Sequence, residues 1–183
     1  MNWFAIFVLI FLFGCIQAPV QNSSNESLNV SGEKNMKAEK GDTVEVMYLG
    51  KLENGTVFDT NIASEAALAN LSNRHSEPLK FKVGAGEMIS GFDDAVVGMS
   101  INEEKTITLL PSQAYGERRA DLVVTTSTSN FDENISIGMQ VQSAQGYVGT
   151  ITKIENDMAT IDFNPELAGK TLIFKIKLIK VEK

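Results

Sequence analysis

The stretch VGAGEMISGFDDAVVGM, residues 83–99, decides how the rest of the chain is read. It contains no histidine, cysteine or lysine, and its one hydroxyl belongs to Ser90. Gly84 and Gly86 mark a tight turn, because glycine takes the backbone angles such turns need. Ser90 and Asp93 then stand as N-cap and N3 of a short helix. Phe92, Ala95, Val96 and Met99 fall on one face of that helix, and Gly98 ends it. Met88, Ile89 and Phe92 gather beside the glycine turns as the wall of a site built from apolar side chains.

The flanking segments read as strands. DTVEVMYLGKL, residues 42–52, alternates Val44, Val46 and Tyr48 with polar neighbours, the pattern of a half-buried strand. ENGT turns the chain at Gly55, and VFDT resumes extended structure. Residues 62–73 carry good helix formers and predict a short helix. PLKFKV and EKTITLL are further strands, the latter stopped by Pro111. KTLIFKIKLI places Leu172, Phe174, Ile176 and Leu178 on one face. The fold class is therefore α+β, a mainly antiparallel sheet around one short amphipathic helix.

Between AYGE and LAGK the character changes. GMQVQSA, GYVGTITKI and MATIDF are short alternating strands joined by turns at Gln145-Gly146 and Asn156-Asp157. They read as a small β unit inserted between two strands of the main domain. Its apolar residues Val123, Val124, Phe131, Ile135, Ile137, Met139, Val141, Tyr147, Val148 and Ile151 are too many for so small a unit to bury. Some of them predict an exposed apolar patch, and such patches mark partner surfaces.

Composition narrows the chemistry. The chain has 183 residues, 43% apolar and 21% charged, with a net charge of −7. An acidic chain without a basic stripe is a poor holder of phosphate backbones, which sets nucleic acid aside. The single cysteine, Cys15, excludes an intramolecular disulfide. The single histidine, His75, lies in the polar stretch SNRHSEP and reads as surface. No EF-hand loop or His/Cys cluster appears, so neither a metal nor another cofactor is expected.

The first residues read as an address. NWFAIFVLIFLFGC is too short for an ordinary transmembrane helix, which needs roughly 20 apolar residues, and suits the core of a secretory signal. Leu12-Phe13-Gly14-Cys15 resembles a lipobox, with Cys15 as the lipidated residue. A signal anchor with a free Cys15 is the alternative, since Phe13 is bulky for that motif and no Lys or Arg precedes the apolar run. Residues 16–39 are rich in Ser and Asn, the composition of a flexible tether. They contain Asn-x-Ser sequons at Asn22, Asn25 and Asn29. A protein exported and anchored at the outer face of the cytoplasmic membrane is the expectation.

Four segments, VMYLGKLENGTVFD, VGAGEMISGFDDAVVGM, LLPSQAYGE and LIFKIKLI, come in an order that resembles the FKBP family of peptidyl-prolyl cis-trans isomerases. The resemblance runs from near Asp42 to the C-terminus. It implies an isomerase domain at residues 40–119 and 167–183, interrupted at 120–166. The inserted β unit, followed by IDFNPELAGKTLIF, resembles the insert-in-flap subdomain of the SlyD-like branch, whose insert is implied to hold unfolded chains. The long stretch between Asp59 and Pro78 is similar to archaeal long-type members. Carried over by position, the pocket comprises Tyr48, Phe58, Asp59, Met88, Ile89, Phe92, Tyr115 and Phe174. Phe92 stands on the floor, where well-known members have tryptophan, and Leu79 stands where an aromatic is frequent. Pro165-Glu166 departs from the Asn-His-Pro order of the branch, and no histidine tail follows Lys183. The resemblance implies a monomer that twists X–Pro bonds in unfolded or partly folded polypeptides. The alternative is a non-catalytic module that grips apolar or proline-containing segments.

Overall fold

The computed structural model describes residues 36–71, 76–131 and 134–183. In chain order the elements are β1 (Thr43–Leu52), β2 (Val57–Thr60), α1 (Ala63–Leu68), β3 (Leu79–Lys82), α2 (Ser90–Val96) and β4 (Glu104–Leu109). They continue with β5 (Val123–Ser127), β6 (Gln140–Gln142), β7 (Val148–Glu155), β8 (Met158–Asp162) and β9 (Leu172–Glu182). Cys15, the three sequons and His75 lie outside the described residues.

The main sheet has the order β2-β1-β9-β4, with β3 also paired to β1, and every pairing is antiparallel. The long β1–β9 ladder is its spine. Leu172, Phe174, Ile176 and Leu178 are all buried, and each fully buried large apolar side chain contributes about 1.5–3 kcal/mol. The alternation then slips, and the next buried residue is Val181. The cause is a bulge: Val46 pairs with Leu178 while Glu45 pairs with Lys180, leaving Ile179 without an opposite number. At the far end Glu182 accepts from Lys180 at 2.6 Å and from Lys80 at 2.8 Å, which hold its carboxyl down at about 2.

Helix α2 lies across this sheet. Phe92, Ala95, Val96 and Met99 are buried in one cluster with Val44, Val46, Phe81, Leu109 and Ile176. The expected capping by Ser90 and Asp93 is corrected. Ile89 is the N-cap residue and no side chain caps the helix. Ser90 is already helical, and its hydroxyl donates to the Gln113 carbonyl at 3.3 Å. Asp93 is buried, and both its oxygens accept the Gly84 N–H at 2.8 and 2.9 Å. Its partner comes from the preceding glycine turn, where Gly84 has φ +79°, and not from the helix's own first turn.

Two other boundaries move. The helix expected over 62–73 stops at Leu68, because Asn70 adopts φ 56° and turns the chain in the left-handed region that asparagine tolerates. Residues 37 and 38 fall within the tether by composition, yet they pack on the main domain. Lys37 bridges Ser100, and Ala38 is fully buried and exchanges hydrogen bonds with Gly98 and Met99.

The remaining strands form a second sheet, ordered β5-β8-β7-β6. Asn156 and Asp157 turn β7 into β8 with φ 49° and 59°, as a two-residue hairpin requires. The edge strand β5 has no clear period and is not among the strands legible in the sequence. Ile151 of β7 and Ala159 and Ile161 of β8 are the buried apolar side chains of this sheet, so Ile151 belongs to the interior and not to a patch. Val124, Ile137, Tyr147 and Val148 are exposed, whereas Val123, Phe131, Ile135, Met139 and Val141 are half-buried. The chain segments joining the sheets are clasped. Arg118 donates to Asp162 through Nε at 3.1 Å and Nη2 at 2.7 Å, and Asn164 exchanges hydrogen bonds with the Arg119 main chain. Burial would raise the Asp162 carboxyl, but hydrogen bonds from Asn164 and Arg118 hold it below its usual range.

Candidate functional site

Phe92 projects from the first turn of α2 into a group of rings brought by four strands. Its centroid lies 5.2 Å from Phe174 and 5.9 Å from Tyr48, both edge-on, and 5.9 Å from Phe81. Phe58 completes the group against Phe174 at 5.6 Å, with the ring planes perpendicular. Edge-to-face pairs at such separations are the favoured aromatic geometry. Phe81 is buried and belongs to the core, while Tyr48 and Phe58 are half-buried and reach the surface. Met88 and Ile89 pack half-buried on the same cluster.

One polar pair sits on this apolar ground. The Tyr48 hydroxyl donates to Asp59 Oδ2 at 2.9 Å. Tyr48 comes from β1 and Asp59 from β2, and the sheet register sets Asp59 opposite Gly50, two residues from Tyr48. On a twisted strand pair such diagonal neighbours meet. Asp59 lines two depressions. One, of about 290 Å³, is lined by Tyr48, Asn61, Pro78 and Leu79. The other, of about 500 Å³, is lined by Phe58, Leu71, Tyr115 and Leu167. Tyr115 follows the single turn at Pro111–Gln113 and is 45% exposed. A larger cleft of about 700 Å³ faces the second sheet. It contains Arg118, Gln140, Thr150, Asp162 and Lys170 but no aromatic ring, so it lacks the apolar ground described above.

Tyr48, Phe58, Phe92 and Phe174 are thus linked ring to ring, Asp59 joins them through Tyr48, Met88 and Ile89 pack on their cluster, and Tyr115 shares a depression with Phe58 and Asp59. Three further contributors escaped the sequence. Gly50 leaves space for the rings: a Cβ there would lie 2.8 Å from Phe58 Cζ and 2.9 Å from Phe174 Cε1. A glycine inside an alternating strand is the signal that marks such close approach. Thr60 and Asn61 are buried polar residues directly after Asp59, and nothing in their spacing distinguishes them from turn residues.

The family model described as FKBP-type peptidyl-prolyl cis-trans isomerase matches residues 34–179. The chain belongs to that family. It is 42% identical over 149 residues to the short-type peptidyl-prolyl cis-trans isomerase of Methanocaldococcus jannaschii, covering 78% of this chain and 93% of that protein. It is 33% identical over 125 residues to FK506-binding protein 2 of Candida glabrata, covering 65% and 84%. A probable FKBP-type 16 kDa isomerase of Pseudomonas fluorescens is 30% identical over 137 residues, covering 72% and 83%.

This FKBP-type isomerase catalyses a reaction that needs no nucleophile. The barrier is amide resonance, ~18–20 kcal/mol for twisting the C–N bond. The planar amide is strongly dipolar and the twisted one less so, so water favours the ground state. An apolar site removes that preference, and each ~1.4 kcal/mol of differential stabilisation is tenfold in rate.

Proposed function

We propose that X–Pro bonds turn over in the aromatic pocket of Tyr48, Phe58, Asp59, Met88, Ile89, Phe92, Tyr115 and Phe174. The observation that carries this is Phe92 against three rings, with the Tyr48–Asp59 hydrogen bond at the rim. Phe92 is the floor beneath the proline ring, with Tyr48, Phe58 and Phe174 as walls and Met88 and Ile89 as rim. The Ile89 N–H and the Tyr115 hydroxyl donate to substrate carbonyls, and Asp59 orients Tyr48. Tyr115→Phe lowers kcat/KM on an X–Pro peptide several-fold, on the order of one lost hydrogen bond, and leaves the melting temperature unchanged. Undiminished turnover would remove Tyr115 from the mechanism.

The second sheet is a chaperone subdomain of the SlyD-like kind in this proposal, and it spans 120–166. Its support is the exposure of Val124, Ile137, Tyr147 and Val148 on one small unit. The kinship with an M. jannaschii protein supports an archaeal type; that protein is named short-type, so the long-type subdivision rests on the Asp59–Pro78 stretch alone. Replacing residues 120–166 by a short linker leaves turnover of a short peptide intact and slows proline-limited refolding of a whole protein. Refolding at the full rate would end the chaperone role.

The clients are exported proteins, and the protein works as a monomer held at the outer membrane face through its first residues. The apolar run ending in Cys15 and the Ser/Asn-rich segment after it support this. Growth with a labelled lipid precursor puts label on the protein but not on a Cys15→Ser variant. A wild-type protein without label favours the signal anchor.

A further inference from the structure

Strand β1 is bordered along one edge by two different strands. β2 pairs with Leu49, Gly50 and Lys51, and β3 pairs with Thr43 to Val46. Between these two ladders the regular pairing breaks at Tyr48, where the Asn61 N–H still donates to the Tyr48 carbonyl at 3.4 Å. Buried backbone groups need hydrogen-bond partners, so the break has to be filled.

Asn61 fills it with its side chain. Its Oδ1 accepts the Tyr48 N–H at 2.7 Å, and its Nδ2 donates to the Val46 carbonyl at 2.9 Å. The carboxamide presents an acceptor and a donor to alternate residues of β1, as the main chain of an adjoining strand would. The other Nδ2 hydrogen goes to the Glu77 carbonyl at 3.0 Å, tying together the two ends of the excursion between β2 and β3. Asn61 is 5% exposed. Its neighbour Thr60 donates from Oγ1 to the Tyr48 carbonyl at 2.7 Å, and Asp59 accepts from the Tyr48 hydroxyl. Three consecutive residues therefore hold the hydroxyl, the carbonyl and the N–H of a single tyrosine.

We infer that Asn61 is a positioning residue for the isomerase, fixing β1 at Tyr48 so that the tyrosine hydroxyl meets Asp59. It acts through Tyr48, and this role rests on the aromatic pocket being the place of turnover. Alanine removes all of the hydrogen bonds made by the Asn61 side chain. Aspartate keeps the acceptor for the Tyr48 N–H and loses both donations.

The test is a double-mutant cycle read as kcat and KM on an X–Pro tetrapeptide, at a temperature where every variant is folded by circular dichroism. Asn61→Ala lowers kcat/KM at least about tenfold, since small misplacements of a site group cost that much or more. In a Tyr48→Phe background, where no hydroxyl remains to be placed, the same substitution costs less than about twofold, because residues acting as one unit are not additive. Full turnover by folded Asn61→Ala overturns the inference, as does an equal loss in both backgrounds. If Asn61→Ala does not fold, Asn61→Asp enters the same cycle and is judged by the same two outcomes. If Tyr48→Phe and Phe92→Leu both leave turnover intact, the pocket assignment itself fails. If they lower it and the Asn61 variant does not, only the role of Asn61 falls.

Discussion

Phe92→Ala removes about 3–5 kcal/mol of stability, the range for deleting a buried phenylalanine side chain. The ring is 3% exposed and meets Tyr48, Phe81 and Phe174, so its loss opens a cavity beneath the site. The neighbours cannot close over it without moving, because they are anchored in β1, β3 and β9. A domain of ordinary stability holds about 5–15 kcal/mol in total, so this one substitution takes a large share. Urea titration measures the loss through the midpoint at constant slope. Phe92→Leu separates the two roles of the ring: it keeps most of the volume and removes the aromatic floor, so turnover falls while the protein stays folded. A loss below about 1 kcal/mol for Phe92→Ala would mean that the floor is not the keystone of this core.

Gly50→Ala lowers turnover at least about tenfold by a different route, displacement of a wall by less than the width of a methyl group. The added Cβ would stand 2.8 Å from Phe58 Cζ and 2.9 Å from Phe174 Cε1, closer than carbon atoms pack. Both rings are then displaced from their positions in the proposed pocket, at a stability cost of about 1–3 kcal/mol typical of overpacking. Combining Gly50→Ala with Phe58→Leu, which withdraws the nearer ring edge, restores part of the stability. Normal melting and normal turnover in Gly50→Ala would show that the Phe58–Phe174 wall yields freely and takes no part in catalysis.

The sequence made the main sheet legible because its strands are strongly alternating and its turns carry glycine. β9 alternates through Leu172, Phe174, Ile176 and Leu178, and the burial follows that period until the bulge at Ile179. A bulge is invisible to a period count, since it depends on the register with β1. The helix α2 was legible from the spacing of Phe92, Ala95, Val96 and Met99. Its cap was not, because Asp93 answers to Gly84, nine residues away, and a local rule favours the helix's own N–H groups. The second sheet was read through its alternation and its Asn156-Asp157 turn, whereas β5, with Val123 and Val124 adjacent and Thr125 and Thr126 after them, carries no period to read. At the site, the aromatic residues and the Tyr48–Asp59 pair were reachable from residue type and family position. Gly50, Thr60 and Asn61 matter through what they adjoin in space, and that information resides in the pairing of β1 with its neighbours.

The role of an apolar pocket is tested most directly by following cis–trans exchange of an X–Pro tetrapeptide by NMR, with residues 32–183 in catalytic amount and ¹⁵N-labelled. Faster exchange is expected, with amide shifts at Tyr48, Phe58, Ile89, Phe92 and Tyr115 and little change in the second sheet. Exchange no faster than in buffer with folded protein, or fast exchange with shifts confined to the second sheet, would contradict catalysis in the aromatic pocket.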